Sequence, residues 1–313
     1  MEPDIRDAIV RYVIMMTTRT HIPLEKVLGW IGLKKNKYHA WRKRLGIPNN
    51  HNDKMPRATW ILPWERDAII AYRRDHMDEG YRPLTYMMLD EDIVAVSPST
   101  TYRVLKTAGL LSRWNSGKAL KQKGFIQPLA VHEHWHIDIK YVNFHGTFLF
   151  LISVIDGCSR YIVHHELRLT MQEYDVQLTL ERALERFPGV TPRIISDNGK
   201  QFIAKDFTQY IAEKGLHHVR TSVCHPQSNG KLERFHRTLS VECLRTKSML
   251  DVQDARRCIA EYIEFYNTKR LNSAIYFLTP ADVLDGRRQE RLAEREAKLA
   301  HAQEDRRHAR LAA

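Results

Sequence analysis

Arg193-Ile194-Ile195-Ser196-Asp197-Asn198-Gly199 and His225-Pro226-Gln227-Ser228-Asn229-Gly230-Lys231-Leu232-Glu233-Arg234-Phe235-His236-Arg237 are the two most informative stretches of the chain. The first is a short apolar strand that runs into turn residues. That puts the Asp197 carboxylate at a strand's end, where open α/β sheets carry their chemistry. The second opens as a polar loop and turns helical. Leu232, Phe235 and Leu239 fall at i, i+3, i+7 on one apolar face, with Glu233 beside it in the first turn. Upstream, His134-Trp135-His136-Ile137-Asp138-Ile139-Lys140-Tyr141 alternates strictly. Trp135, Ile137, Ile139 and Tyr141 point one way, and His136, Asp138 and Lys140 the other. An Asp in mid-strand is disfavoured by propensity, and a bound metal ion is one thing that would hold it there.

With 35 residues between Asp197 and Glu233, the three acids and their surroundings resemble the DDE transposase/retroviral integrase superfamily. The resemblance is specifically to bacterial insertion-sequence transposases of the IS3 and IS481 type. It runs from about Trp135 to Leu284. The pieces that carry it are His136-Ile137-Asp138, Ser196-Asp197-Asn198-Gly199, Pro226-Gln227-Ser228-Asn229-Gly230 and Glu233-Arg234-Phe235-His236. The resemblance implies an RNase H-like core, with Asp138, Asp197 and Glu233 as catalytic residues and metal ligands. It also implies the separate roles: Asp138 bridging two ions, Asp197 on one and Glu233 on the other. Mg²⁺ suits such a set because it prefers carboxylate oxygens and keeps some waters. Two ions about 3.5–4 Å apart activate a nucleophile and stabilise a leaving oxygen, and Mn²⁺ is the expected substitute. The implied activity is 3′-end cleavage at the terminal inverted repeats of an insertion sequence, then strand transfer into target DNA. No covalent protein intermediate is expected.

Each acid has a plainer reading alone. Asp138 could pair with Lys140, Asp197 could cap a turn, and Glu233 could pair with Arg237. Asp156, at a strand-to-turn junction, reads as a cap, and Glu166 and Asp206 lack a motif. His132, His134 and His136 alternate along one strand face and would suggest Zn²⁺, but no Cys or further spaced His pair accompanies them. Many relatives carry Lys or Arg seven residues after the catalytic Glu. Here that position is Ser240, with Arg237 and Lys231 the nearest basic residues.

The 313 residues suggest more than one domain, and a hydrophobic content of 43% is enough for a core. A net charge of +12 suggests a polyanionic partner. The four cysteines, Cys158, Cys224, Cys243 and Cys258, form no CxxC pair and read as reduced thiols of a cytosolic protein. Neither a signal peptide at Met1 nor an apolar run of membrane-spanning length is read. The expected setting is therefore the bacterial cytoplasm, nucleoid-associated when bound, with no membrane partner.

Residues 1–46 read as a helix-turn-helix module. Ile5, Ile9, Tyr12, Val13 and Met16 mark the first helical face. A helix from Leu24 to Ile31 follows, and then a basic helix from Lys35. Lys35, Lys37, Trp41, Arg42, Lys43 and Arg44 are its candidate DNA contacts. A small three-helix bundle with a solvated basic face is the competing reading. Residues 47–63 are a linker. Residues 64–111 read as a second helix-turn-helix, with Ser97 as N-cap before Pro98 and Arg103 and Lys106 as contacts. Residues 112–130 are a basic linker whose Lys118, Lys121 and Lys123 can lie against phosphates. Residues 131–285 are the catalytic core, in which three strands in meander precede strands alternating with helices. That order implies a mixed sheet with helices on both faces. Residues 286–313 form a charged helix, read as exposed, with Glu294 and Lys298 as an i, i+4 pair.

The fold class is thus α/β. A mixed five-stranded RNase H-like sheet is flanked by helices, preceded by two all-α helix-turn-helix modules and followed by a charged C-terminal helix. Further DNA contacts are expected at His225, Asn229, Lys231, Arg234 and Arg237. Double-stranded DNA, as transposon ends and target, is the expected partner. Self-association to a dimer or larger is implied by the need to hold two ends. A domesticated DNA-binding protein with a silent core is the alternative. A retroviral-type integrase would need an N-terminal zinc module, and the first 130 residues contain no Cys. A generic nuclease would have little use for two upstream DNA readers.

Overall fold

The computed structural model describes residues 3–47, 59–111, 128–220 and 230–311. Lys118, Lys121, Lys123, His225 and Asn229 lie outside the described residues. The chain divides into two compact units, Met1–Ile61 with Gln303–Ala313, and Leu62–Ala302. No helix among the described residues is long and apolar enough to cross a membrane.

In the first unit, α1 (Pro3–Thr20), α2 (Leu24–Trp30) and α3 (Lys35–Arg42) enclose Val10, Val13, Val27, Leu28 and Tyr38. The inward face of α1 is rotated from the one expected. Ile5 and Tyr12 are exposed, while Arg6, Val10 and Val13 are buried. The cause is polar: Arg6 donates to the carbonyls of Arg44 and Ile47, both at 2.7 Å, tying α1 to the end of the bundle. Hydrophobicity alone misses a guanidinium that is buried because it is satisfied.

The second unit begins with α4 (Pro63–Asp75), α5 (Tyr81–Asp90) and α6 (Pro98–Thr107). Ser97 caps α6 by accepting from the Thr100 N–H. Thr85 and Thr101 share a buried hydrogen bond of 2.8 Å between α5 and α6. Pro83 sits inside the first turn of α5, where its missing N–H costs nothing.

The sheet has the order β3-β2-β1-β4-β5. β1 (His134–Phe144), β2 (Thr147–Asp156) and β3 (Ile162–Arg168) form an antiparallel meander. After α7 (Glu173–Arg186), β4 (Arg193–Ser196) adds parallel to β1. α8 (Lys200–Ile203) and α9 (Lys205–Glu213) lead to β5 (His217–Arg220), parallel to β4. Ala204 is extended (ψ 146°) and separates α8 from α9, and the Phe207 N–H is taken by Glu173 Oε1 at 2.6 Å.

Then come α10 (Gly230–Leu239), a π-helical turn (Ser240–Leu244), α11 (Val252–Thr268), α12 (Pro280–Leu284) and α13 (Arg288–Leu311). One sheet face, with Trp135, Ile137 and Val154, packs on α7 and α9. The other, with Leu149, Leu151 and Ile155, packs on Leu232, Phe235 and Leu239 of α10 and Ile259 and Ile263 of α11. This is the RNase H-like arrangement of helices on both faces of a mixed sheet. Asn267 of α11 locks it, accepting from the Ile162 N–H and donating to the Ile162 carbonyl.

The charged C-terminal helix is not simply exposed, as its composition suggested. Within the second unit, Arg295 of α13 is 5% exposed. It binds both carboxylate oxygens of Asp90 (2.8 and 2.6 Å) and the Phe277 carbonyl (2.8 Å), and its guanidinium lies over the Tyr86 ring. Lys298 turns to Asp92 rather than Glu294, which pairs instead with Arg291. Leu292 packs on Ile275, Leu278 and Val283. A charge-rich helix buries arginine when carboxylate and carbonyls receive every direction of the fork.

Candidate active site

Parallel pairing brings the first two acids together. His136 pairs with Ile195 in the β1–β4 register. Asp138 lies two residues beyond the first and Asp197 two beyond the second, so the carboxylates leave neighbouring strands at one level. Asp197 curls into an Asx turn, its Oδ1 accepting from the Gly199 N–H at 2.9 Å. A Cβ at Gly199 would stand 3.0 Å from that oxygen, so a side chain there would crowd the Asp197 carboxylate. Ser196 is held by His218 at 2.9 Å and donates to the Asp197 carbonyl.

The third acid comes from α10. Its apolar positions pin the helix across the β1–β2 face, so its first turn rises beside Asp138. Glu233 is exposed there. His236, one turn on, is buried, with Nδ1 3.6 Å from Asp138 Oδ2. Burial pushes the Asp138 carboxyl up to about 7, despite the Ile139 N–H bonded to Oδ1, and the charges of Asp197 and Glu233 raise it further. Burial draws His236 down to about 3, with the Lys140 charge adding to it. A neutral imidazole is therefore what faces Asp138. The sequence offered a signal for His236, since it stands three residues after Glu233 on one helix, but no role was assigned to it.

The plainer pairings are not formed among the described residues. Neither Asp138–Lys140 nor Glu233–Arg237 comes within ion-pair distance, although Lys140 does exert a lowering pull on Asp138. Asp197 does cap a turn, while its charge still bears on Asp138. A largely buried carboxylate with two further acids bearing on it suits a hard divalent cation. Among the described residues, no three His, Cys, Asp or Glu side chains close around a common ion. The donor chemistry fits a metal, and Asp138, Asp197 and Glu233 are the residues that could hold it.

The three upstream histidines do not share a face. His132 has φ +60° and precedes β1, so its ring meets Trp135 and Phe187. His134 sits beside Glu133, and His136 is fully buried with Lys231 Nζ 3.2 Å from its Nε2. Asp156 is buried and takes the N–H groups of His132, Cys158 and Ser159, the cap that its position suggested. Asp206 stands in the first turn of α9.

The remaining expected contacts are dispersed. Lys35 is paired with Glu25, and Lys37 lies over the Trp41 ring, while Arg42 and Lys43 are exposed and Arg44 is half-buried. Arg103 and Lys106 are exposed on α6. Lys231 is half-buried, and burial draws its ammonium down to about 7. Arg234 and Arg237 are exposed on α10. Ser240 opens the π-helical turn and donates to the His236 carbonyl at 2.7 Å.

A family model described as Integrase core domain matches residues 128–226, and a second of the same description matches residues 214–280. The putative transposase InsK for insertion sequence element IS150 of Escherichia coli (strain K12) is 21% identical over 86% of this chain and 96% of its own length. The transposase for insertion sequence element IS629 of Shigella sonnei is 24% identical over 78% of this chain and 85% of its own. The chain belongs to the DDE transposase and integrase superfamily, of the IS3/IS481 insertion-sequence type. Its class is therefore that of polynucleotidyl transferases in transposition or integration. Among solved structures, the catalytic core domain of BIV integrase is 19% identical, with a TM-score of 0.41, covering 51% of this chain and 99% of that one.

Proposed function

We propose that the chain is a DNA transposase that binds the terminal inverted repeats of an insertion sequence. In this reading it performs Mg²⁺-dependent 3′-end cleavage and joins the freed ends to target DNA. The observation that carries the reading is the coupling of Asp197 and Glu233 to a buried Asp138. Asp138, Asp197 and Glu233 are the catalytic residues and metal ligands of this reading. Two divalent ions, Mg²⁺ or Mn²⁺, would supply there a Lewis acid and a nucleophile active at neutral pH. The protein's own part is electrostatic and positional. β1 and β4 hold two carboxylates at one level, α10 brings the third, and neutral His236 faces Asp138 without adding charge. The two upstream three-helix groups would grip the duplex through backbone phosphates and base edges, and a dimer or larger would hold two ends. The protein would act on DNA in the cytoplasm, bound to the nucleoid.

The test is strand transfer by the purified chain, with a labelled duplex of its own element's end and a supercoiled plasmid, in Mg²⁺ or in EDTA. Joined product is expected only with metal and is expected to vanish in Asp138→Asn, with end binding retained. Tight end binding with no joining in Mg²⁺ or Mn²⁺ would favour a DNA-binding protein with a silent core.

A further inference from the structure

A second concave surface lies along α10, and Glu233 is not among the residues that line it. It is a cleft of about 540 Å³, walled by α10, by the segment that follows α11, and by Pro83 at the start of α5. Arg160, Lys231, Arg234, Arg237 and Arg270 line it, and among the described residues that line it Glu242 supplies the one carboxylate. Arg270 already holds Glu242 through two hydrogen bonds of 2.8 and 2.6 Å, and the Tyr262 hydroxyl donates to the same carboxylate. The acid in the cleft is therefore spent on its own wall. Arg234 and Arg237 lie along α10 on the exposed side of the same cleft, and Thr238 and Asn272 add polar groups there.

We propose that this cleft is a backbone-phosphate site, which carries one strand of the DNA between α5–α6 and the Glu233 end of α10. The inference rests on the transposase reading and extends it. Charge complementarity names the occupant. A concave wall whose cations outnumber its carboxylates suits the regularly spaced phosphates of a duplex, and it reads no base. Its walls come from both α5 and α10, so a strand in it would fix the spacing between the DNA reader and the carboxylates.

The test is equilibrium binding of the full chain to a duplex of its element's end across a salt series. Arg234→Ala is expected to lower the slope of log K against log salt by about 0.9, one phosphate contact, with Arg234→Lys restoring it. The loss should be equal on an unrelated duplex, because phosphates carry no sequence. Single methylphosphonate substitutions along the end should include a position that weakens the wild type and leaves Arg234→Ala unmoved. An unchanged slope in Arg234→Ala, when the wild type binds and joins ends, would overturn the cleft and leave the transposase reading standing. A loss confined to the end sequence would overturn it too, by making Arg234 a base reader. A wild type that binds no duplex would bring down both.

Discussion

Two acids stand on strands of the same sheet and have opposite surroundings. Asp138 of β1 is 18% exposed and Glu166 of β3 is 10% exposed, so burial alone does not separate them. Glu166 is met by Arg168, by Arg182 and by His164 at 3.3 Å. Burial pushes its carboxyl up, but the hydrogen bonds from Arg182 and His164 and the charge of Arg168 more than offset this, and its pKa is lowered. Asp138 is met by two further acids and a neutral imidazole, and sits near 7. Glu166 is complete within the fold and has a structural task. Asp138 is left with negative charge that the fold does not balance, the setting that the proposed metal role requires.

The sharpest way to break that contrast is to neutralise each acid in turn. Glu166→Gln strips the cations of their partner and should cost roughly 2 kcal/mol in urea melts, Arg182 being half exposed and contributing little. Joining per folded molecule should not change. Asp138→Asn removes a charge that burial already opposes, so its melt should match or exceed the wild type while joining disappears. An Asp138→Asn chain as destabilised as Glu166→Gln would erase the distinction.

The contrast also explains what the sequence made legible. Strict alternation from His134 to Tyr141 gave the face of Asp138, and the strand-then-turn at Asp197 gave its level. The i, i+3, i+7 stripe of α10 gave the seat of Glu233. These are local periodicities, and local periodicity survives in one dimension. The pairing of Glu166 with Arg182 joins β3 to α7, and that of Arg295 with Asp90 joins the last helix to α5. Both partners look like ordinary surface charges until the fold brings them together. For the same reason the basic tail read as solvent-facing, and Arg6 was passed over for Ile5 and Tyr12.

Acid should act through the buried histidines, His165 of β3 among them. His165 sits beside Glu166 on β3, and burial draws its imidazole down to about 4, with the charges of His164 and Arg186 adding to it. The unfolded chain then binds a proton near pH 6.5 that the folded chain refuses until near pH 4. Stability is whole above 6.5 and is lost as pH falls through that window, by roughly 1–2 kcal/mol after solvent screening. Melts between pH 7 and pH 4 should show the fall, and His165→Gln should flatten its share. A window of equal depth in His165→Gln would assign the loss to the other depressed histidines, His236, His164 and His218 among them.

The smallest expected effect bears on the unbalanced acid most directly. A cation that binds only the folded chain raises its stability by mass action, about 1 kcal/mol at a few times its dissociation constant. Mg²⁺ at constant ionic strength should therefore raise the melting point of the wild type, and equally that of Glu166→Gln, whose acid lies outside the candidate site. Asp138→Asn should lose that rise, since the carboxylate on which the other two acids bear is gone. Replacing MgCl₂ by NaCl of matched ionic strength separates a held ion from general screening of a chain with net charge +12. Equal shifts in the two salts would mean that the excess charge at Asp138 is relieved by solvent, and the contrast with Glu166 would then reflect its neighbours alone.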